Sequence, residues 1–229
     1  MTGNTMTFRS QLREWGGLIL FLVSMVLFRS AVADWYTVPT GSMKPNIIEG
    51  DRVFVNKIHY DLRVPFTHMS LKTRANPRRG EIIVFDSPAE PKRLIKRVIG
   101  VPGDVVTLYD NHLYVNGKPA VYQPIASQPD PVIWDKDMPP KRVSIEKIFP
   151  NAYPIAVAPN RSPVVFGPVI VPDSHYFVMG DNRDNSGDSR YFGFVPRDTI
   201  LGRASLVVLS LNYDNHYLPR SERFFKPLP

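Results

Sequence analysis

The chain has 229 residues, 43% of them apolar, which supports one large domain or a domain carrying an insert and rules out a disordered chain. It has no cysteine, so disulfides and thiolate metal sites are excluded, and its five histidines (His59, His68, His112, His175 and His216) show no metal-ligand spacing, so no metal or other cofactor is expected. A net charge of +7 without a helix-turn-helix, zinc-finger or RNA-recognition pattern points to anionic lipid rather than nucleic acid.

One long apolar run opens the chain, from Trp15 to Phe28. As a helix, Gly16–Phe28 covers about 20 Å, short of the roughly 30 Å hydrocarbon core of a bilayer. Continued to Ala33 it reaches 18 residues, with Arg29 near one end, where it can snorkel, and with Trp15 and Trp35-Tyr36 as interfacial belts. Two readings compete. Ala31-Val32-Ala33 fits the A-x-A cleavage site of a secretory signal. The aromatic pair and the extended helix favour a retained anchor, with residues 1–15 as a cytoplasmic tail and 16–34 as a transmembrane helix.

Pro39-Thr40-Gly41-Ser42-Met43-Lys44-Pro45 follows within about ten residues of the apolar run. Next come short β signals: the alternating Arg52–Lys57, then Glu81–Phe85 and Arg93–Ile99. Residues 58–80, with Pro65, Pro77 and Arg78-Arg79, read as an exposed loop. Val105–Tyr109 and His112–Val115, separated by Asp110-Asn111 and closed by Asn116-Gly117, form two hairpin corners. Prolines then recur through 121–173 without a sustained helix period, which predicts an inserted, smaller β or loop-rich subdomain. Tyr176–Met179 resumes a strand and runs into the polar loop 180–190, and Ala204–Leu211 is the last apolar strand. The tail Arg223-Phe224-Phe225-Lys226 is basic and aromatic and suits a lipid surface. The expected fold is mainly β. Its larger domain is built from 35–120 and 174–229, with 121–173 inserted.

Three pieces can carry chemistry. Ser42 lies on a turn beside a membrane exit, and a serine hydroxyl needs a base. No GxSxG elbow and no histidine with suitable context supplies one. Lys96 stands among Leu94, Ile95, Val98 and Ile99, where burial can lower a lysine pKa by up to about 3–5 units and leave a neutral amine. The loop 180–190 is rich in groups that hydrogen-bond backbone. Each piece alone also has a plain reading: a structural turn serine, a solvent-facing lysine, an Asx-turn network or a weak calcium loop. Asp181, Asp184 and Asp188 lack EF-hand spacing and its closing glutamate.

Taken together, four segments in order resemble the bacterial type I signal peptidases, the leader peptidases of the Ser/Lys dyad class: PTGSMKPNIIEGDRVFVNK, RRGEIIVF, LIKRVIGVPGD and GDNRDNSGDSRYFGFVP. The resemblance implies a signal-peptidase-like β fold and cleavage of signal peptides from translocated preproteins after small residues. It implies Ser42 as nucleophile and Lys96 as general base. Thr40 matches the hydroxyl that assists the oxyanion hole, and Ser186 the one that orients the lysine. Arg97, Asp181, Asp188 and Arg190 fall at supporting positions, and Tyr36, Val38 and Ile95 where the family lines shallow substrate pockets. It also implies a phospholipid membrane and the secretion translocon as partners, no nucleic acid, and single-pass placement in the cytoplasmic membrane with the catalytic domain on its outer, periplasmic face. Rival readings are a cytosolic Ser/Lys autoprotease and a non-enzymatic anchored β domain. The apolar run and the absence of a helix-turn-helix argue against the first, and the second predicts no loss of function when Ser42 is removed.

Overall fold

The computed structural model describes residues 8–67, 69–125, 141–148, 150–159, 162 and 164–229. Helix α1 (Phe8–Ala31) opens the chain, and strands β1 (Ala33–Thr37) and β2 (Asp51–Asn56) follow. Next are β3 (Asp61–Arg63), β4 (Ser70–Thr73), β5 (Ile82–Asp86), β6 (Arg93–Gly100), β7 (Val105–Tyr109), β8 (His112–Val115), β9 (Lys118–Pro119) and β10 (Val121–Pro124). Then come β11 (Arg142–Ile148), β12 (Asn151–Val157), β13 (Phe166–Ile170) and β14 (His175–Met179). The one-turn helix α2 (Ser189–Phe192), β15 (Val195–Pro196), β16 (Ile200–Asn212), β17 (Leu218–Pro219) and β18 (Lys226–Pro227) complete it.

The mainly β expectation holds. A nine-stranded sheet carries the order β1-β2-β16-β5-β6-β14-β15, with β17 and β18 also paired to β16. Strand β5 is buried at Ile82, Ile83, Val84 and Phe85, on both faces, which explains its unbroken apolar sequence. Strand β2 alternates buried and half-buried residues, as its polar–apolar alternation predicts. Strand β16 slips register between Ala204 and Leu206 and again between Val207 and Leu209 against β2, and such bulges bend the strand. It extends four residues before the predicted Ala204 start, and its first half pairs with β5.

Two expectations change. The predicted transmembrane helix over 16–34 ends at Ala31, and Ala33 already pairs with Asn56 in the sheet. The cause is local: Lys57 Nζ donates to the carbonyls of Arg29 at 3.0 Å and Ser30 at 3.2 Å, closing the helix. Among the described residues no helix is long and apolar enough to cross a membrane. The segment 58–80 is not all loop, because β3 and β4 pair antiparallel, Asp61 opposite Thr73. Every residue of β4 is exposed, so no apolar period marks it. The described residues of 121–173 are strands and their connections. Strands β10-β11-β12 form a sheet, but β13 joins β7. Ile148, Tyr153 and Ile155 share one core with Val106, Leu108 and Phe177.

A second core, with Met43, Ile47, Val53, Val55, Ile82 and Val84, lies under the Ser42 turn. A third, with Ile83, Phe85, Val98, Tyr176 and Val178, backs β5 and β6 from the other side.

Candidate active site

The Ser42 turn is held at both ends. Val38 donates to the Asp51 carbonyl at 2.9 Å and Gly50 to the Val38 carbonyl at 3.1 Å, closing the loop between β1 and β2. Met43 and Ile47 anchor it in the core, with no exposed surface. Beneath it, Arg223 forms a buried pair with Asp51, at 3.0 and 2.6 Å, and also donates to the Asn46 carbonyl at 3.0 Å. Gly41–Met43 forms a single 3-10 turn preceded by Thr40 in extended conformation.

Strand β6 delivers Lys96 to this turn. Its Nζ is 2.6 Å from Ser42 Oγ, and both side chains are buried, at 3% and 8% exposure. Burial pulls the Lys96 pKa down to about 8 from 10.5, against the opposing charges of Asp188 and Asp181. A neutral amine at hydrogen-bond distance from a serine hydroxyl is the arrangement that proton transfer requires. Successive side chains of a strand leave opposite faces, so Arg97 departs the other way. It makes a two-point pair with Asp181, at 2.7 and 2.8 Å, donates to the Gly80 carbonyl at 2.7 Å, and stacks 3.9 Å above the Tyr153 ring.

The loop after β14 fastens Ser42 from outside. The Asn182 N–H donates to the Ser42 carbonyl at 3.0 Å, and its side-chain amide to the Gly41 carbonyl at 2.9 Å. Gly180 has no room for a side chain: a Cβ there would stand 2.5 Å from the Ser42 carbonyl oxygen and 2.3 Å from Ser186 Oγ. Asp188 caps α2, accepts from the Gly180 N–H at 3.0 Å and pairs with Arg190 through two bonds of 2.8 Å. The calcium reading of this loop loses its donors, since Asp181 and Asp188 each face a guanidinium.

The structure therefore gathers Ser42, Lys96, Arg97, Asp181, Asp188 and Arg190 into one network. Ser186 lies beside Gly180, but among the described residues its buried Oγ has no hydrogen-bond partner and makes no bond to Lys96. Thr40 is exposed, and its hydroxyl makes no capping bond to the turn. Val38 is buried in the core under the turn, while Tyr36 and Ile95 pack on that core half-exposed. Burial pushes the Tyr36 hydroxyl up to about 12.

Four residues of the support were not singled out from the sequence. Asn46 donates to Asp181 at 2.7 Å and to the Pro154 carbonyl at 2.8 Å, and Asn182 holds the turn as described. Arg183 pairs with Glu146 of β11, with both side chains buried, and Glu146 also accepts from Tyr122 and Tyr153, each at 3.0 Å. Asn46, Asn182 and Arg183 fall inside the quoted motifs, whereas Glu146 lies in the proline-rich stretch, where nothing marked it.

The comparisons with known proteins give the family. The family model described as signal peptidase, peptidase S26 matches residues 12–209. Signal peptidase I of Pseudomonas fluorescens is 35% identical over 205 residues, covering 84% of this chain and 69% of that protein. Signal peptidase I of Pseudomonas aeruginosa is 34% identical over 208 residues, with the same coverage of 84% and 69%. Among solved structures, a signal peptidase I from Enterococcus faecalis V583 is 30% identical and covers 56% of this chain and 97% of that one, with a TM-score of 0.34. The chain belongs to the signal peptidase, peptidase S26 family. It is a hydrolase, a serine endopeptidase of the signal peptidase I class.

Proposed function

We propose that this protein removes N-terminal signal peptides from translocated preproteins, with Ser42 as nucleophile and neutral Lys96 as its base. The observation that carries the reading is the 2.6 Å contact between Lys96 Nζ and Ser42 Oγ in a buried setting. Lys96 takes the Ser42 proton as Oγ adds to the scissile carbonyl, then delivers it to the leaving amine. The same amine next activates the water that hydrolyses the acyl-enzyme. The developing oxyanion is received by the Ser42 N–H and, after a rotation about χ1, by the Thr40 hydroxyl. Ser186 turns its unpartnered hydroxyl to the Lys96 amine once substrate closes the site. Arg97, Asp181, Asp188 and Arg190 hold the two strands and the loop in register. Tyr36 and Ile95, over Val38, offer shallow apolar pockets suited to alanine at the first and third positions before the cut.

Membrane attachment belongs to the same reading. Leu18 to Phe28 of α1 present large apolar side chains that are 42–68% exposed, a surface that lipid would cover. Held there by α1, on the outer face of the cytoplasmic membrane, the site would meet a cleavage site as it leaves the bilayer, beside the translocon. The test is cleavage of a preprotein bearing an A-x-A site in detergent micelles. Ser42→Ala and Lys96→Met are expected to lose at least about 10³-fold in kcat with folding intact. Near wild-type turnover by either variant would remove that residue from its role.

A further inference from the structure

The Asn182 side chain packs behind the nucleophile and is only 2% exposed. Its amide nitrogen donates to the Gly41 carbonyl at 2.9 Å, and its amide oxygen accepts from Lys141 Nζ. The amide has one orientation that allows this, because a backbone carbonyl oxygen can only accept. The Asn182 backbone is held as well. Its N–H donates to the Ser42 carbonyl, and β12 brackets the residue through Ala156, whose N–H donates to the Asp181 carbonyl at 2.9 Å and whose carbonyl accepts from the Arg183 N–H. Lys141 is half-buried and immediately precedes β11. Both anchors of Asn182, Ala156 on its backbone and Lys141 on its side chain, therefore come from the inserted stretch.

The Gly41 carbonyl and the Ser42 N–H belong to the same peptide group. That group is planar, so a donor fixed on its oxygen also fixes the direction of its N–H. Among the described residues the Ser42 N–H has no acceptor, as expected in the first turn of a helix. The donors then run head to tail in one direction: Lys141 Nζ to Asn182 Oδ1, Asn182 Nδ2 to the Gly41 oxygen, and the Ser42 N–H towards the reacting centre. Each bond in such a chain polarises the next, by roughly 10–30% in condensed phase. A bond from an ionised donor is roughly twice as strong as a neutral one, and this chain starts at a lysine. Asp184 attracts the charge on Lys141, whereas burial and Lys44 oppose it. The sign of the relay suits acyl transfer. Positive charge at its far end deepens the partial positive charge on the Ser42 hydrogen, where an oxyanion would develop.

We propose that Asn182 and Lys141 are positioning residues that orient and polarise the Gly41–Ser42 peptide as the oxyanion donor. The proposal rests on the reading of Ser42 as nucleophile. Its test compares two probes bound to the full-length protein in detergent micelles: a peptide ending in an alanine aldehyde, and the same peptide ending in the alcohol. Ser42 Oγ adds to the aldehyde carbon, the carbonyl π pair becomes the oxyanion, and the serine proton passes to Lys96. The alcohol has no electrophile and reports ground-state binding alone. Wild type is expected to prefer the aldehyde by at least about 100-fold. Lys141→Met should cut that preference about tenfold, less than the roughly 10²–10³-fold that removing an oxyanion donor outright costs. Its kcat on a preprotein should fall by the same factor with KM unchanged. Lys141→Arg keeps a charged donor and should recover most of both. Equal weakening of the two probes by Lys141→Met would mark a structural role and overturn the proposal, as would an unchanged preference. Ser42→Ala separates the two readings. If it abolishes the aldehyde preference while Lys141→Met leaves it intact, only the relay fails. If Ser42→Ala keeps the preference, the nucleophile reading fails and the relay falls with it.

Discussion

Lys96 sets the pH behaviour of the proposed chemistry. With a pKa of about 8, about one lysine in ten is neutral at pH 7, against roughly one in a few thousand for an ordinary lysine. The rate is expected to rise with pH through about 8 and level off above about 9. A kcat profile flat from pH 6 to 9 would mean that another group takes the serine proton. The same shift acts on stability. The folded-state pKa is lower than that of the unfolded chain, so the unfolded chain binds the proton more tightly. The cost to the fold is fully present below about pH 8 and fades as the pH rises towards 10.5. Lys96→Met removes it, and is expected to stabilise the protein at pH 7 by roughly 2–3 kcal/mol while abolishing activity. Urea denaturation of both proteins checks the sign, and the gap should narrow between pH 8 and 10.5. At this scale the sequence was legible for a definite reason. Ser42 and Lys96 lie in short segments whose neighbours, Gly41 and Met43 in one and Ile95 and Val98 in the other, already declare a turn and a buried strand. The distance between them, 54 positions along the chain, was not legible without the resemblance.

Among the elements, the inserted stretch is where sequence reading gave least. Strands β10 to β12 follow a proline-rich course, and β12 is paired throughout with β11 despite Pro154. What the stretch does for the site is carried by Glu146. Its carboxylate is buried, paired with Arg183 of the loop after β14, and bridged by Tyr122 and Tyr153. Burial opposes charge on Arg183, and the neighbouring Glu146 outweighs it, holding the guanidinium pKa above its usual value. Arg183 N–H also donates to the Ala156 carbonyl at 3.0 Å. The insert thus latches the loop that fastens Ser42, across 37 positions of sequence. Such partners follow no local period, so composition and spacing pass them by. Glu146→Gln leaves a buried guanidinium without its counter-charge and should cost about 3–5 kcal/mol. Hydrogen exchange should show faster opening at Asn182 and Arg183 than at β5, where the core is independent of this pair. Uniform loosening of both regions, or none, would remove the latch from the account.

Across the whole molecule, two surfaces face the same problem: an apolar helix and a rim of aromatics, both uncovered. Helix α1 meets the body through the Arg29–Asp34 pair with β1 and through Ser30, whose Oγ accepts from the Phe66 N–H, and its side chains from Trp15 to Phe28 are otherwise open. Phe66, at 71% exposure, and Trp35, at 48%, stand near its end, and the basic balance of +7 suits an anionic bilayer. If α1 lies in lipid, depth along it is graded, and fluorescence can read that grade. Variants with a single tryptophan, at native position 35 or introduced as Leu22→Trp, are reconstituted into vesicles containing bromolipids. The 1.5 Å rise places position 22 about 14 Å from the helix end at Ala31, and position 35 lies beyond that end in β1, so the two report different depths. Deep bromine labels are expected to quench the residue at 22 and shallow labels the one at 35, with iodide in the water reaching only Trp35. Quenching of both positions by aqueous iodide would show α1 lying outside the bilayer, and its exposed apolar face would then require a protein partner instead.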